Sequence, residues 1–288
     1  MNVIKKTKLF VCIVMIILFF AACSDSATNI TPVFDAAYFF DWSYVSGSSN
    51  IMLTLYHGIG GVAEIPARIN RNPVTVIGES ALENKRLTGV IIPNTVTTIG
   101  PRAFRGNQLT SVTIPASVTS IGSGAFSGNQ LTSVMIPASV TSIGSDAFSG
   151  NQLVSVTIPI GVTSIGSGAF SGNQLTNVTI PSGVTVIESS VFRSNQVENL
   201  VIPGSVVRIG PSAFDNNQLK SVYIPDSVIF IEGAAFSLNQ LTQIRIGAGV
   251  TIAGNSFGAT GFETFYNNNS RQAGTYTRLN TDTTVWTR

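Results

Sequence analysis

A 22-residue unit recurs through the middle of this chain, and no other feature restricts its fold as strongly. Residues 107–128 repeat almost verbatim, and Leu87, Leu109, Leu131, Leu153, Leu175, Val197, Leu219 and Leu241 keep the 22-residue spacing throughout. Pro93 to Pro225 and Phe104 to Phe236 follow the same period, as do the Asn-Gln pairs from Asn107-Gln108 to Asn239-Gln240. A fixed period in this range marks units that cannot bury their apolar faces alone and must stack.

Each unit reads Leu109-x-x-Val112-x-Ile114-Pro115, then Val118-x-x-Ile121-Gly122, then Ala125-Phe126. Val112 and Ile114 alternate with Ser111 and Thr113, which predicts a strand with apolar side chains inward and small polar ones outward. Pro115 ends it, because proline cannot donate to a central ladder. Val118 to Ile121 form a second short extended piece closed by Gly122, and residues 123–127 are expected to make a single helical turn that drops Phe126 into the core. Asn107 and its equivalents are expected to form an inner ladder whose amides satisfy turn backbone.

The L-x-x-L-x-L strand pattern is that of leucine-rich repeats. With the 22-residue period and the Ile-Gly-x-x-Ala-Phe tail, it resembles the BspA-like, Treponema pallidum-type repeats of bacterial surface proteins. The fold expected is therefore a mainly β leucine-rich-repeat solenoid of about eight repeats over residues 74–257, with small antiparallel β caps. Gly247 replaces the repeating proline and Phe257 comes one residue early, as suits a terminal unit. Residues 33–73 read as an N-terminal β cap, rich in aromatics from Phe34 to Tyr56, and residues 258–288 as an aromatic β-hairpin cap.

Ahead of the caps, Lys5, Lys6 and Lys8 precede an apolar run from Leu9 to Ala22. Fourteen residues are too few to span a bilayer, which takes about 20, but they suit a signal peptide over residues 1–22. Phe20-Ala21-Ala22-Cys23 resembles a bacterial lipobox, with Phe20 in place of the usual Leu. That resemblance implies acylation of Cys23, a lipidated linker over residues 23–32, and a membrane partner reached through the anchor. The expected location is the outer membrane or cell surface, with the periplasmic face as the other possibility. The alternative is an ordinary cleaved signal. Cleavage removes three lysines and no acidic residue, leaving 13 basic against 14 acidic residues and a net charge of −1.

Few residues can support chemistry. His57 stands alone beside a glycine turn, and Cys12 and Cys23 are the only thiols. The carboxylates fall singly, so no metal centre and no cofactor is expected, and an enzyme is not expected. Gly122-Ser-Gly124 and its kin do not complete a phosphate-binding G-x-G-x-x-G and read as repeat turns. Basic residues are too few and scattered for nucleic acid.

The outward face is more informative. Between Gly106 and Ile187 the one charged residue is Asp146, in a stretch where about 20 would be ordinary. Beyond it the outward positions diversify, and Val201, Lys220, Tyr223 and Arg245 there, with Met135 inside the stretch, are the candidate ligand-binding surface. Tyr223 and Arg245 hold equivalent positions in adjacent units and are expected side by side, and both residue types are enriched at binding hot spots. The resemblance implies non-enzymatic, adhesin-like binding to host matrix, host cells or other bacteria, with a host matrix or bacterial surface protein as partner. The competing reading is an envelope scaffold without an external ligand.

Overall fold

The computed structural model describes residues 36–288 as one unit, so the leader, Cys23 and the linker lie outside the described residues. The described chain winds into a β-solenoid of about nine turns of about 22 residues, with almost no helix. Each turn meets its neighbours through three sets of backbone hydrogen bonds, and these sets define three sides.

The front side carries the predicted Val112-x-Ile114 strand. Val62–Glu64 pairs in parallel with Gly89–Ile91, Asn177–Thr179 with Asn199–Val201, and Ser221–Tyr223 with Gln243–Ile246. In the central units the ladder thins to single bridges, Thr113 to Met135 to Thr157. The back side is made of short pieces such as Thr98–Ile99, Ser120–Ile121 and Ser142–Ile143, each in parallel register with the next.

The third side is where sequence and structure differ. Instead of a helical turn, residues 123–128 form two successive turns, closed by Ala125 N–H to Gly122 O and Ser127 N–H to Gly124 O. The intervening amides do not bond within the turn. Gly124, Phe126 and Gly128 donate to Ser145, Ala147 and Ser149 of the next unit. Gly124 and Gly128 have φ of 64° and 66°, which a right-handed helix cannot contain, and Arg102 and Asp146 accept the same conformation at the position of Gly124. A helix would satisfy its own amides. This turn turns half of them outward, so the third side also becomes a ladder.

Two columns of side chains lock the interior. The rings of Phe104, Phe126, Phe148, Phe170, Phe192, Phe214, Phe236 and Phe257 stack with interplanar angles of 3–11°. The asparagines behave as expected. Asn129 Nδ2 donates to Phe104 O of the preceding unit and to Phe126 O of its own, while its Oδ1 accepts Leu109 N–H. Asn107, Asn151, Asn173, Asn195, Asn217 and Asn239 repeat the pattern. An amide with both ends satisfied by backbone is bound to its place and has nothing left to offer a ligand.

The back ladder has one break. Ile165 and Ile187 do not pair, although the pieces on either side do. Thr185 and Glu188 make no backbone bond to Thr163 and Ile165, whereas Val207 and Gly210 bond Thr185 and Ile187 at 2.8 and 2.7 Å. Glu188 stands in a glycine column where the backbones approach closely. A Cβ added at Gly166 would lie 2.4 Å from Ser145 N. Yet Glu232 occupies the same column and keeps its bond to Ile209 O at 2.9 Å, so a side chain there does not suffice to open the ladder. What distinguishes the broken turn is Val191, fully buried where Ala103, Ala125, Ala147, Ala169, Ala213 and Ala235 stand elsewhere. Val191 thus adds two methyl groups to the alanine column in the turn where the back ladder opens. The ring spacing drifts smoothly from 5.2 Å at Phe104–Phe126 through 5.4, 5.5 and 5.6 Å to 5.7 Å at Phe192–Phe214, with no step at the break. The turn-side ladder holds across the seam, with Phe170 N–H on Val191 O at 2.9 Å.

The ends close the stack by different means. At the N-terminal end Phe40–Tyr44 pairs antiparallel with Ile51–Tyr56, but Ile51–Tyr56 already runs parallel to Asn72–Ile77, so the ladder starts before the sequence period does. At the C-terminal end Gly274–Thr277 lies antiparallel to Gln243–Ile246 and meets Thr287 through a bridge at Thr277. A seven-residue helix, Phe262–Asn268, was not foreseen. Phe262, Tyr266, Tyr276 and Trp286 are buried over Phe257 and end the ring stack edge-on. Burial pushes the phenols of Tyr266 and Tyr276 above their ordinary range. Arg278, also buried, donates to the carbonyls of Leu241, Thr281 and Thr283 and pins this end.

Candidate binding face and the Tyr223–Arg245 cleft

Register along the front ladder places Glu64 beside Ile91, Thr113 beside Met135 and Thr157, Thr179 beside Val201, and Tyr223 beside Arg245. Alternation along each strand turns these positions outward, since Val112, Val134, Val178 and Val222 between them are buried. Four of the predicted surface residues therefore share one equivalent position. Met135 is 82% exposed, Val201 57% and Tyr223 46%. Lys220 is exposed but occupies a different position, three residues earlier in its turn.

Only two of the five come together. Arg245 Cζ lies 4.8 Å from the centre of the Tyr223 ring. Met135 is four units away along the period, while Val201 holds the same outward position one unit before Tyr223 with no ladder bond between their strands. Tyr223 and Arg245 line a cleft of about 370 Å³ with Asp226, Ile246, Ala273, Gly274 and Thr275. Sequence reasoning missed the last five. The signal for Asp226 was present, because Ala116, Ala138, Ser182 and Gly204 hold its position in other units. Gly247 was noted only as a degenerate repeat. Its role is spatial, since a Cβ there would lie 3.0 Å from Asp226 Oδ1 and 3.1 Å from its Cα.

The remaining chemistry-bearing residues are dispersed. His57 Nε2 lies 3.0 Å from Asp41 Oδ1 near the N-terminal end, with both side chains partly exposed. No group of three or more His, Cys, Asp or Glu that could hold a metal occurs among the described residues. No helix among them is long and apolar enough to cross a membrane.

The sequence profile of the BspA type leucine rich repeat region matches residues 75–197 and 187–277. Among solved structures, the leucine rich repeat protein of T. pallidum is 28% identical with a TM-score of 0.55, covering 60% of this chain and 83% of its own. A leucine-rich repeat protein from Bacteroides ovatus is 26% identical with a TM-score of 0.58, covering 79% of this chain and 70% of its own. Comparison with curated proteins finds no match.

Proposed function

Because this chain belongs to the family of BspA-type leucine-rich repeat proteins, we propose that it is a non-enzymatic binding protein of the bacterial cell surface. Leucine-rich repeat domains mediate protein–protein binding, and the family points to an interaction role. In our reading the front face meets a protein of host matrix, of host cells or of other bacteria, in the manner of an adhesin. The observation that carries this is the outward column of the front ladder. It presents Met135, Val201, Tyr223 and Arg245 from a rigid stack whose asparagine amides are already satisfied. A rigid face loses little conformational entropy on binding.

The leader and Cys23 add a lipid anchor to this proposal, with display at the outer membrane. Labelling of cells with palmitate should mark the protein and should fail with Cys23→Ser, and protease added to intact cells should remove it. The binding arm uses immobilised matrix proteins. Changing Met135 and Val201 to Lys together with Tyr223→Ser should weaken adhesion by about tenfold or more, since truncated hot spots carry most of an interface's energy. Unchanged adhesion by a variant that melts normally would break the proposal. The even, nearly charge-free face from Gly106 to Ile187 favours a second role, as a spacer. Resistance to protease on whole cells would support it at the expense of the first.

A further inference from the structure

The Tyr223–Arg245 cleft holds two groups of opposite charge that are not paired with each other. Arg102, Arg105, Arg193 and Arg208 pair with Glu79, Glu83, Asp215 and Glu232 of neighbouring turns, whereas Arg68, Arg71, Arg86 and Arg271, like Arg245, make no ion pair among the described residues. Arg245 has Asp226 in the turn before it, lining the same cleft, and makes no ion pair with it. Its guanidinium lies against the Tyr223 ring, and both it and the exposed Asp226 carboxylate bond no other described residue. The equivalent positions vary along the stack, with Ile91, Met135 and Val201 at the position of Tyr223 and Arg245, and Asn94, Ile160 and Gly204 at that of Asp226. Tyr223, Asp226 and Arg245 line one cleft, and Gly247 packs against Asp226.

The chemistry of the walls defines the guest. The guanidinium near the Tyr223 ring has donors that bond no other described residue, and its planar fork matches a carboxylate through two parallel bonds. Asp226, across the cleft, only accepts, so the guest must also donate. The Tyr223 phenol, the Thr275 hydroxyl and the Ala273–Thr275 edge add further polar groups, and Ile246 is the one large aliphatic lining residue. This is a poor seat for an apolar anchor and a good one for a ring that carries one carboxylate and several hydroxyls.

The geometry points to a binding site for an acidic saccharide unit, with Arg245 taking the sugar carboxylate and Asp226 accepting from its hydroxyls. The inference rests on the reading of the chain as a binding protein and narrows what its partner displays. Titration calorimetry on the full chain in detergent tests it with trigalacturonate, a glucuronate-containing disaccharide and sialyllactose, against neutral galactotriose and triglutamate peptide. At least one acidic sugar should bind and galactotriose should not. Arg245→Gln should weaken the bound sugar about tenfold or more, and Asp226→Asn severalfold, with melting temperatures unchanged. Asp226→Asn separates this site from simple charge attraction, which would strengthen when a negative group is removed. Binding of none of the three acidic sugars, equal binding by Arg245→Gln, or preference for triglutamate overturns the site. If adhesion to matrix proteins persists in that event, the binding-protein reading stands without this cleft; if adhesion is also absent, both fall.

Discussion

Residues 106–187 and residues 188–277 share an interior. The same phenylalanine stack, the same asparagine bonds and the same turn ladder run through both. Outside they part company. The first stretch carries Asp146 as its one charge, while the second regains Glu188, Arg193, Glu198, Arg208, Asp215, Lys220, Asp226, Glu232, Arg245, Glu263 and Arg271. The back ladder breaks where the two meet, beside Val191. The difference teaches that stacking constrains only the positions that touch the next layer. Outward positions are free to stay uniform or to specialise, and the cleft lies in the region that specialised.

If the interior is indifferent to region, equivalent core substitutions must cost the same on both sides of the seam. Phe148→Ala and Phe214→Ala should each lose about 3–5 kcal/mol, read from urea unfolding. A difference between them beyond about 1 kcal/mol would break the comparison, since measured values scatter by less among equivalent sites than the effect itself. The asparagine pair comes next. Asn151→Ala strands the Leu131 amide and the amide's share of two carbonyls, and Asn217→Ala does the same around Val197. Each should cost about 2–3 kcal/mol, because buried groups left unpaired lose their full desolvation penalty.

The smallest effect tests the seam itself. Val191→Ala should destabilise less than Val184→Ala by about 1 kcal/mol, because the other turns already pack around Ala at the first position and keep Val at the second. Amide hydrogen exchange gives the sharper reading. Thr185 and Glu188 amides should exchange faster than those of Val207 and Gly210, and Val191→Ala should slow the first pair by about tenfold as the ladder closes. No change in that pair would mean that Val191 is not what holds the layers apart.

Much of this was legible in the sequence because near-identical repeats average away local noise. Phe126 and Asn129 recur at fixed intervals, and a residue that recurs must meet its own equivalents. The turn at residues 123–128 was not legible as such, because Arg102, Gly124 and Asp146 share one left-handed conformation without sharing a residue type. Alternation in Ile51–Tyr56 shows a strand but cannot tell a parallel neighbour from an antiparallel one. The helix Phe262–Asn268 spans too few turns to display a period. Of the binding face, Tyr223 beside Arg245 followed from register alone. Asp226 and Gly247 did not, since a lone carboxylate and a missing proline acquire meaning only when the chain brings them to the same cleft.

The uniformity of the layers also leaves the number of layers unspecified. Each interface between Gly106 and Ile165 is nearly the same, so loss or gain of a whole 22-residue unit joins surfaces that already fit. Such a change is a multiple of three nucleotides, keeps the reading frame, and leaves both ends intact. It alters one quantity, the separation of the two ends, in steps of about 4.8 Å. Reach is therefore an adjustable property of this architecture, and recombination between like coding segments can adjust it while the cleft and the first strand pair travel unchanged at either end.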